Sequence, residues 1–232
     1  MVDRGVDGPV LALREVRVDY RTAAGAVTAV RDISFEVPGS GLTVLAGPSG
    51  SGKSTLIRLL GLLERPTAGS VELDGVPVSR RGHRELRRLR RSGVATVFQS
   101  PADNLLSRLS VAGNLRAAAQ AAGRPDPGEP LLCRLGLAGT GSWRTTALSG
   151  GQQQRLAFAC ALARGAEVIL ADEPTSQLDT ASADLVLDTL RSLVADAVPV
   201  VVSSHDPRLV LLGDVVVRLA GGSVTGIAEG TG

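Results

Sequence analysis

Aromatic residues make up only 2% of this 232-residue sequence, with Phe 3, Trp 1 and Tyr 1. That excludes the aromatic platforms on which single-stranded nucleic acids stack. An excess of one charge is missing too. The formal net charge is +2, too small to point to a nucleic-acid partner on bulk electrostatics. The two cysteines, Cys133 and Cys160, stand far apart and lack metal-ligand spacing. The expectation is two buried free thiols in a reducing compartment, not a disulfide or a zinc site. No stretch approaches the roughly 18 apolar residues of a membrane span, and the run Leu209–Leu219 is broken by Gly213, Asp214 and Arg218. The opening residues, Met1 to Pro9, carry no apolar core of a secretory signal. A cytosolic chain is expected, whose action at a membrane needs a partner. Lysine is nearly missing: Lys53 stands alone among arginines. A GC-rich codon bias accounts for the arginines, and the exception marks a position that needs a compact ammonium.

What is present is globular. Hydrophobic residues are 44% and charged ones 21%, near the average for packed domains. Gly 28 and Pro 12 supply many loops but no Gly-X-Y period. The length suits one compact domain with an attached lobe. Val10–Val18 and Ile33–Val37 read as strands, with a turn at Arg21–Gly25. Leu42–Ala46 is a short apolar strand. The helix after it crowds Leu56, Ile57, Leu59, Leu60 and Leu63 on its inner side and stops before Pro66. Val71–Leu73 and Val94–Phe98 read as strands, and Arg80–Arg91 as a basic helix. The segment from Ser110 to Leu137 is mostly helical, with a loop at 123–130, and Leu148–Arg164 starts with glycines and becomes a helix. Val168–Ala171 and Val200–Ser203 lack polar alternation, as buried parallel strands do. An amphipathic helix, Ala181–Val194, separates them, and Val215–Leu219 with Ser223–Ile227 forms a closing hairpin. Alternating buried strands and helices predict an α/β fold with a mainly parallel sheet.

Between the strand at Leu42–Ala46 and its helix lie Gly47, Pro48, Ser49, Gly50, Ser51, Gly52, Lys53, Ser54 and Thr55. This is G-x-x-x-x-G-K-[ST], a phosphate-binding loop in its required strand-to-helix context. Its glycines let backbone N–H groups turn inward, and the helix start adds partial positive charge. Lys53 would reach the β- and γ-phosphates and Ser54 would ligate Mg²⁺, which explains the lone lysine. The loop alone implies only nucleoside triphosphate binding.

Val168-Ile-Leu-Ala-Asp-Glu-Pro174 sets two carboxylates at the end of a buried strand. Asp172 would hold Mg²⁺ through water beside the loop, and Glu173 is placed to take a proton from an attacking water. His205 follows the other buried strand, at the carboxyl edge where such sheets build sites, and could contact the γ-phosphate.

Leu148-Ser-Gly-Gly-Gln-Gln-Gln-Arg155, taken with the loop and Asp172-Glu173, resembles the ABC transporter ATPase family across nearly the whole chain. The resemblance implies further roles. Tyr20 is similar to the aromatic that stacks on adenine. Gln99 is similar to the residue that senses Mg²⁺ and couples to the membrane subunit. Ser176-Gln-Leu-Asp179 resembles the segment called the D-loop, which adds Asp179 to the nucleotide set, and His205 the switch histidine. Ser149, Gly150 and Gly151, with Gln152 after them, precede a helix and form a second anion site. In this family that site serves ATP bound to a partner, so two chains sandwich two ATP molecules head to tail. The resemblance also implies a P-loop NTPase core with an N-terminal antiparallel β subdomain, at about 1–98 and 165–232, and a helical lobe at about 99–164, all in one domain. It implies a homodimer or heterodimer on a separate transmembrane permease, at the inner face of the cell membrane.

Gly25-Ala-Val-Thr-Ala-Val30, the loop sequence, Asn104-Leu-Leu, the glutamines at 152–154 and Ala171-Asp-Glu-Pro-Thr resemble the lipoprotein-release and macrolide-export branch. Amino-acid importers share some of these. A soluble ABC ATPase of ribosomes or DNA is the rival reading, but such chains carry two cassettes or a coiled-coil insertion. The arginines from Arg80 to Arg91 read as a solvated helix face; anionic lipid or a permease loop is the alternative, and DNA the weakest, since no groove-reading motif accompanies them. His83 reads as surface and Trp143 as packing in the lobe.

Overall fold

The computed structural model describes residues 8–23 and 25–230; most of the N-terminal stretch read for a signal lies outside them. Strands β1 (Leu11–Thr22) and β2 (Gly25–Val37) form a long antiparallel hairpin. Then come β3 (Leu42–Ala46), α1 (Lys53–Leu60), β4 (Ala68–Leu73), the two-residue β5 (Val76–Pro77), α2 (His83–Ser92) and β6 (Val94–Val97). Helices α3 (Val111–Ala121), α4 (Gly128–Arg134) and α5 (Gly150–Ala163) follow. The chain closes with β7 (Val168–Asp172), α6 (Thr180–Ala195), β8 (Val200–Ser204), α7 (Pro207–Leu212), β9 (Val215–Ala220) and β10 (Ser223–Glu229).

The strands make two sheets. One is four-stranded and antiparallel, in the order β2-β1-β4-β5. The other is six-stranded, in the order β10-β9-β3-β8-β7-β6, and parallel except for β10. Every residue of β3 is buried, yet its two faces go to different cores. Leu45 joins Leu56, Ile57, Leu59 and Leu60 of α1, packed between the two sheets. Leu42, Val44 and Ala46 face α5, α6 and α7 on the opposite side. Burial on both faces is why these strands show no polar alternation. A third cluster joins α3, α4 and α5 through Leu115, Leu132 and Leu156. Helix α5 belongs to two clusters at once, with Phe158 on one and Leu156 on the other. Its second half, from Leu156 to Ala163, is therefore apolar nearly all round.

Some sequence expectations are corrected. Helix α1 stops at Leu60, and Leu62 takes a left-handed φ of 55°; Leu63 then lies outside the helix and 42% exposed. The basic segment becomes helical only from His83, and Phe98 falls outside β6 with its ring exposed. Trp143 is 46% exposed. Cys133 is exposed and Cys160 half-buried, so the thiols are free but not both buried. Burial pushes the Cys160 thiol up to about 12. Among the described residues no helix is long and apolar enough to cross a membrane.

Candidate functional site: a phosphate cradle at the carboxyl edge of the parallel sheet

The register pairs Ala46 with Ser204 and Asp172 with Ser203. The ends of β3, β7 and β8 therefore meet at one edge, where open parallel sheets place ligands. A cavity of about 540 Å³ opens there. Pro48, Ser49, Gly50, Gly52, Lys53, Ser54 and Thr55 line it, facing Gln99, Glu173 and His205. Ala29 and Ser176 complete the wall.

The cradle's shape follows from its glycines. Gly52, the residue before α1, has φ 101°, and a Cβ there would sit 2.8 Å from the Ala29 carbonyl oxygen. Only glycine fits both constraints. No side chain caps α1, so its first-turn amides remain available to an anion. Ser51 Oγ is buried with no hydrogen-bond partner among the described residues. Lys53 is 5% exposed. Its Nζ donates to the carbonyl oxygens of Gly47 at 2.8 Å and Pro48 at 3.0 Å, and lies 3.5 Å from Glu173 Oε1.

Asp172 and Glu173 diverge although adjacent. Asp172 Oδ1 accepts from Ser54 Oγ at 2.9 Å and from Ser203 Oγ at 2.6 Å. Glu173 has a left-handed φ of 45°, which costs about 1–2 kcal/mol for a residue with a side chain. Its N–H holds that turn by donating to the Ser203 carbonyl oxygen at 3.0 Å and to Ser203 Oγ at 2.9 Å. Strain of this kind gathers at functional sites. Glu173 Oε2 lies 3.0 Å from His205 Nδ1, so the carboxylate spans the lysine and the histidine. Its side chain is 12% exposed while that of His205 is 67% exposed. Gln99 Nε2 donates to Ser176 Oγ at 3.1 Å across the mouth.

The oxygens of Ser54 and Asp172, with the Gln99 amide, form a hard donor set suited to a small divalent cation. Among the described residues no cluster of three or more His, Cys, Asp or Glu could hold a metal. A cation here would need phosphate oxygens and water to complete its shell, as Mg²⁺ commonly does.

Other expected site residues lie elsewhere. Tyr20 does not line the cavity; its hydroxyl is 3.4 Å from Thr55 Oγ1, just behind the wall. Ser149 is the N-cap of α5, accepting from the Gln152 N–H, while Gln152 Oε1 accepts from the Ser149 N–H. Gly150 and Gly151 are the first residues of that helix rather than a loop before it. Ser149 to Gln152 line no part of the cavity, nor does Asp179. Asp179 caps α6, and bonds from the Ser182 N–H at 2.8 Å and hydroxyl at 2.9 Å hold its carboxyl below the usual range. Ala29 and Ser203, which lie in segments named above but were assigned no role, also belong to the site. Ser203 had a signal: a hydroxyl ending a run of valines must find a partner inside.

Known proteins resemble this chain in sequence and in fold. The profile of the ABC transporter family matches residues 30–176. An uncharacterized ABC transporter ATP-binding protein of Thermotoga maritima is 41% identical over 223 residues, 94% of this chain and 94% of that protein. The macrolide export ATP-binding/permease protein MacB 1/2 of Paracoccus denitrificans is 41% identical over 221 residues, 93% of this chain. This chain spans only about a third (33%) of that relative's length. Among solved structures, the dimeric ATP-binding cassette MJ0796 in a post-hydrolysis state with ADP and Pi superposes with a TM-score of 0.83. The identity is 30%, with 96% of this chain and 99% of that one covered. CbiO1 of Clostridium perfringens, part of a transporter complex, gives a TM-score of 0.82 at 26% identity, covering 95% of this chain and 88% of that one. The chain belongs to the ABC transporter family, as one of its ATPase cassettes.

Proposed function

We propose that this cassette hydrolyses ATP in a head-to-tail pair of cassettes and thereby drives a membrane permease from the inner face of the cell membrane. One observation carries the reading. Glu173 stands between Lys53 and His205 on the phosphate cavity, while the N-terminus of α5 at Ser149 to Gly151 lies outside that cavity. A single cradle thus holds one triphosphate, and the α5 N-terminus is left to meet a phosphate bound by another copy.

In this reading the loop amides and Lys53 take the phosphates. Lys53 exchanges the Gly47 and Pro48 carbonyl oxygens for phosphate oxygens and stabilises charge that develops during transfer. Tyr20 stacks on the adenine. Glu173 accepts the proton of the attacking water, and His205 steadies the Glu173 carboxylate and the γ-phosphate. Mg²⁺, held by Ser54 and Asp172 with Gln99 beside them, would neutralise phosphate charge. Gln99 links the site to the permease. The neighbouring groove, lined by Phe98, Leu106 and Arg164 among others, supports that assignment, because it adjoins Gln99 and exposes apolar side chains.

The exported cargo would belong to the class handled by the macrolide-export relatives. The test uses Glu173→Gln, loaded with ATP, as bait in gently solubilised membranes. Recovery of a multi-span permease is the expected result. Recovery of ribosomes or DNA-bound proteins without a permease would contradict the transport reading.

A further inference from the structure

We infer that Arg58 and Glu64 are positioning residues that fix the Tyr20 ring at the adenine end of the site and tie it to the phosphate cradle. The inference rests on the reading of the cavity as an ATP site with Tyr20 as its stacking surface.

Three separate pieces of chain converge on the Tyr20 hydroxyl. Tyr20 comes from β1, where it pairs with Val27. Arg58 comes from the last turn of α1, and Glu64 from the segment after that helix. The hydroxyl donates to Glu64 Oε2 at 2.9 Å and accepts from Arg58 Nη2 at 3.0 Å. Arg58 Nε donates to the same Glu64 oxygen at 3.0 Å, and Arg58 Nη2 also donates to Thr55 Oγ1 at 3.1 Å. Thr55 lines the cavity. Arg58 thus holds the tyrosine, the glutamate and the cradle with one planar group. A lysine, a single point of charge, lacks the fork needed for all three. Burial opposes the Arg58 charge, but the bonds to Tyr20 and Glu64 outweigh it and hold its pKa above the ordinary value.

The physical role is preorganisation. Any aromatic ring can stack on a nucleobase. A ring held only by packing must give up torsional freedom when the adenine arrives, and a ring tethered at its far end has already done so. The tether therefore serves adenine binding and leaves the phosphates to the loop.

The test measures Kd for ATP and for inorganic tripolyphosphate by calorimetry on the full chain. Arg58→Met and Glu64→Ala are expected to weaken ATP about five- to tenfold, at the lower end of the range for one stacked base, and to leave tripolyphosphate within about twofold. KM for ATP should rise more than kcat falls. Arg58→Lys should show an intermediate loss. In a Tyr20→Phe background, Arg58→Met should add no further loss, since the tethered hydroxyl is already gone. Tyr20 is the only tyrosine (Tyr 1), so its Raman doublet reports that one hydroxyl and should change in both tether variants. Equal losses for ATP and tripolyphosphate, or full additivity with Tyr20→Phe, would overturn the inference. If Tyr20→Ala binds ATP and tripolyphosphate in the unmodified ratio, the stacking reading beneath it fails instead.

Discussion

Replacing Glu173 with glutamine is expected to separate ATP binding from ATP hydrolysis in this site. The swap is isosteric, and the strained turn at φ 45° is held by the backbone N–H of residue 173 on Ser203, which a glutamine keeps. The side chain also keeps a polar partner for His205. Two things are lost. The amide cannot accept the proton of the attacking water, and Lys53 loses the carboxylate 3.5 Å from its Nζ. A positioned general base contributes about 10²–10⁴-fold, or about 3–5.5 kcal/mol of barrier, so kcat should drop by that factor. Both side chains are nearly buried, at 6% and 12% exposed, so the freed ammonium is only weakly screened. It should bind ATP at least as tightly as before. Phosphate release under saturating ATP reads the first effect, and titration of a fluorescent ATP analogue reads the second. A kcat within about threefold of the unmodified chain would show that the proton goes elsewhere. A parallel loss of ATP affinity would show that Glu173 serves the architecture rather than the chemistry.

Two further predictions address the scaffold. A Cβ at Gly151 would lie 2.8 Å from Ser182 Cβ where α5 meets α6. Gly151→Ala should therefore cost about 1–3 kcal/mol, lowering Tm by about 2–4 °C per kcal/mol in a chain this size; an unchanged Tm would show that the helices part freely. The side-chain bond from Arg208, helped by that residue's backbone N–H, holds the Asp206 carboxyl below its ordinary 3.8. A depressed pKa contributes stability above the unfolded value that is lost as pH falls through the folded one. The Tm gap between Asp206→Asn and the unmodified chain should thus be widest near neutrality and close below about pH 4. A gap that stays constant into acid would contradict the assignment.

The sequence announced those parts of the fold whose signals are local. The strand at Leu42–Ala46 keeps its expected bounds, because an all-buried strand is a run of apolar residues. Helix α5 was legible through its apolar run, but its start was not: Gly150 and Gly151 read as a loop, whereas the capping pair of Ser149 with Gln152 starts the helix at Gly150. The first hairpin was harder. Its tip, Thr22 and Gly25 to Val27, is exposed and packs on no core, so no apolar period marked it. Leu63 misled because a helical pattern ran past the left-handed turn at Leu62. In the site, Lys53, Ser54 and Asp172 were legible as motifs, whereas the Tyr20–Arg58–Glu64 tether joins residues 38 and 44 positions apart. No pattern in a single sequence shows that junction. The left-handed turn at Glu173 was equally silent, since it depends on Ser203, 30 residues downstream.

In the proposed pair, the cradle of one cassette is completed by the α5 N-terminus of another. The most direct test of that pairing is the mass in solution of Glu173→Gln with and without ATP, by light scattering, beside the same variant carrying Ser149→Arg. ATP should double the mass of the first protein. The second should bind ATP and stay single, because an arginine at the α5 cap blocks the meeting with the partner's phosphate. Failure of ATP to double the mass, or a doubling that survives Ser149→Arg, would contradict it.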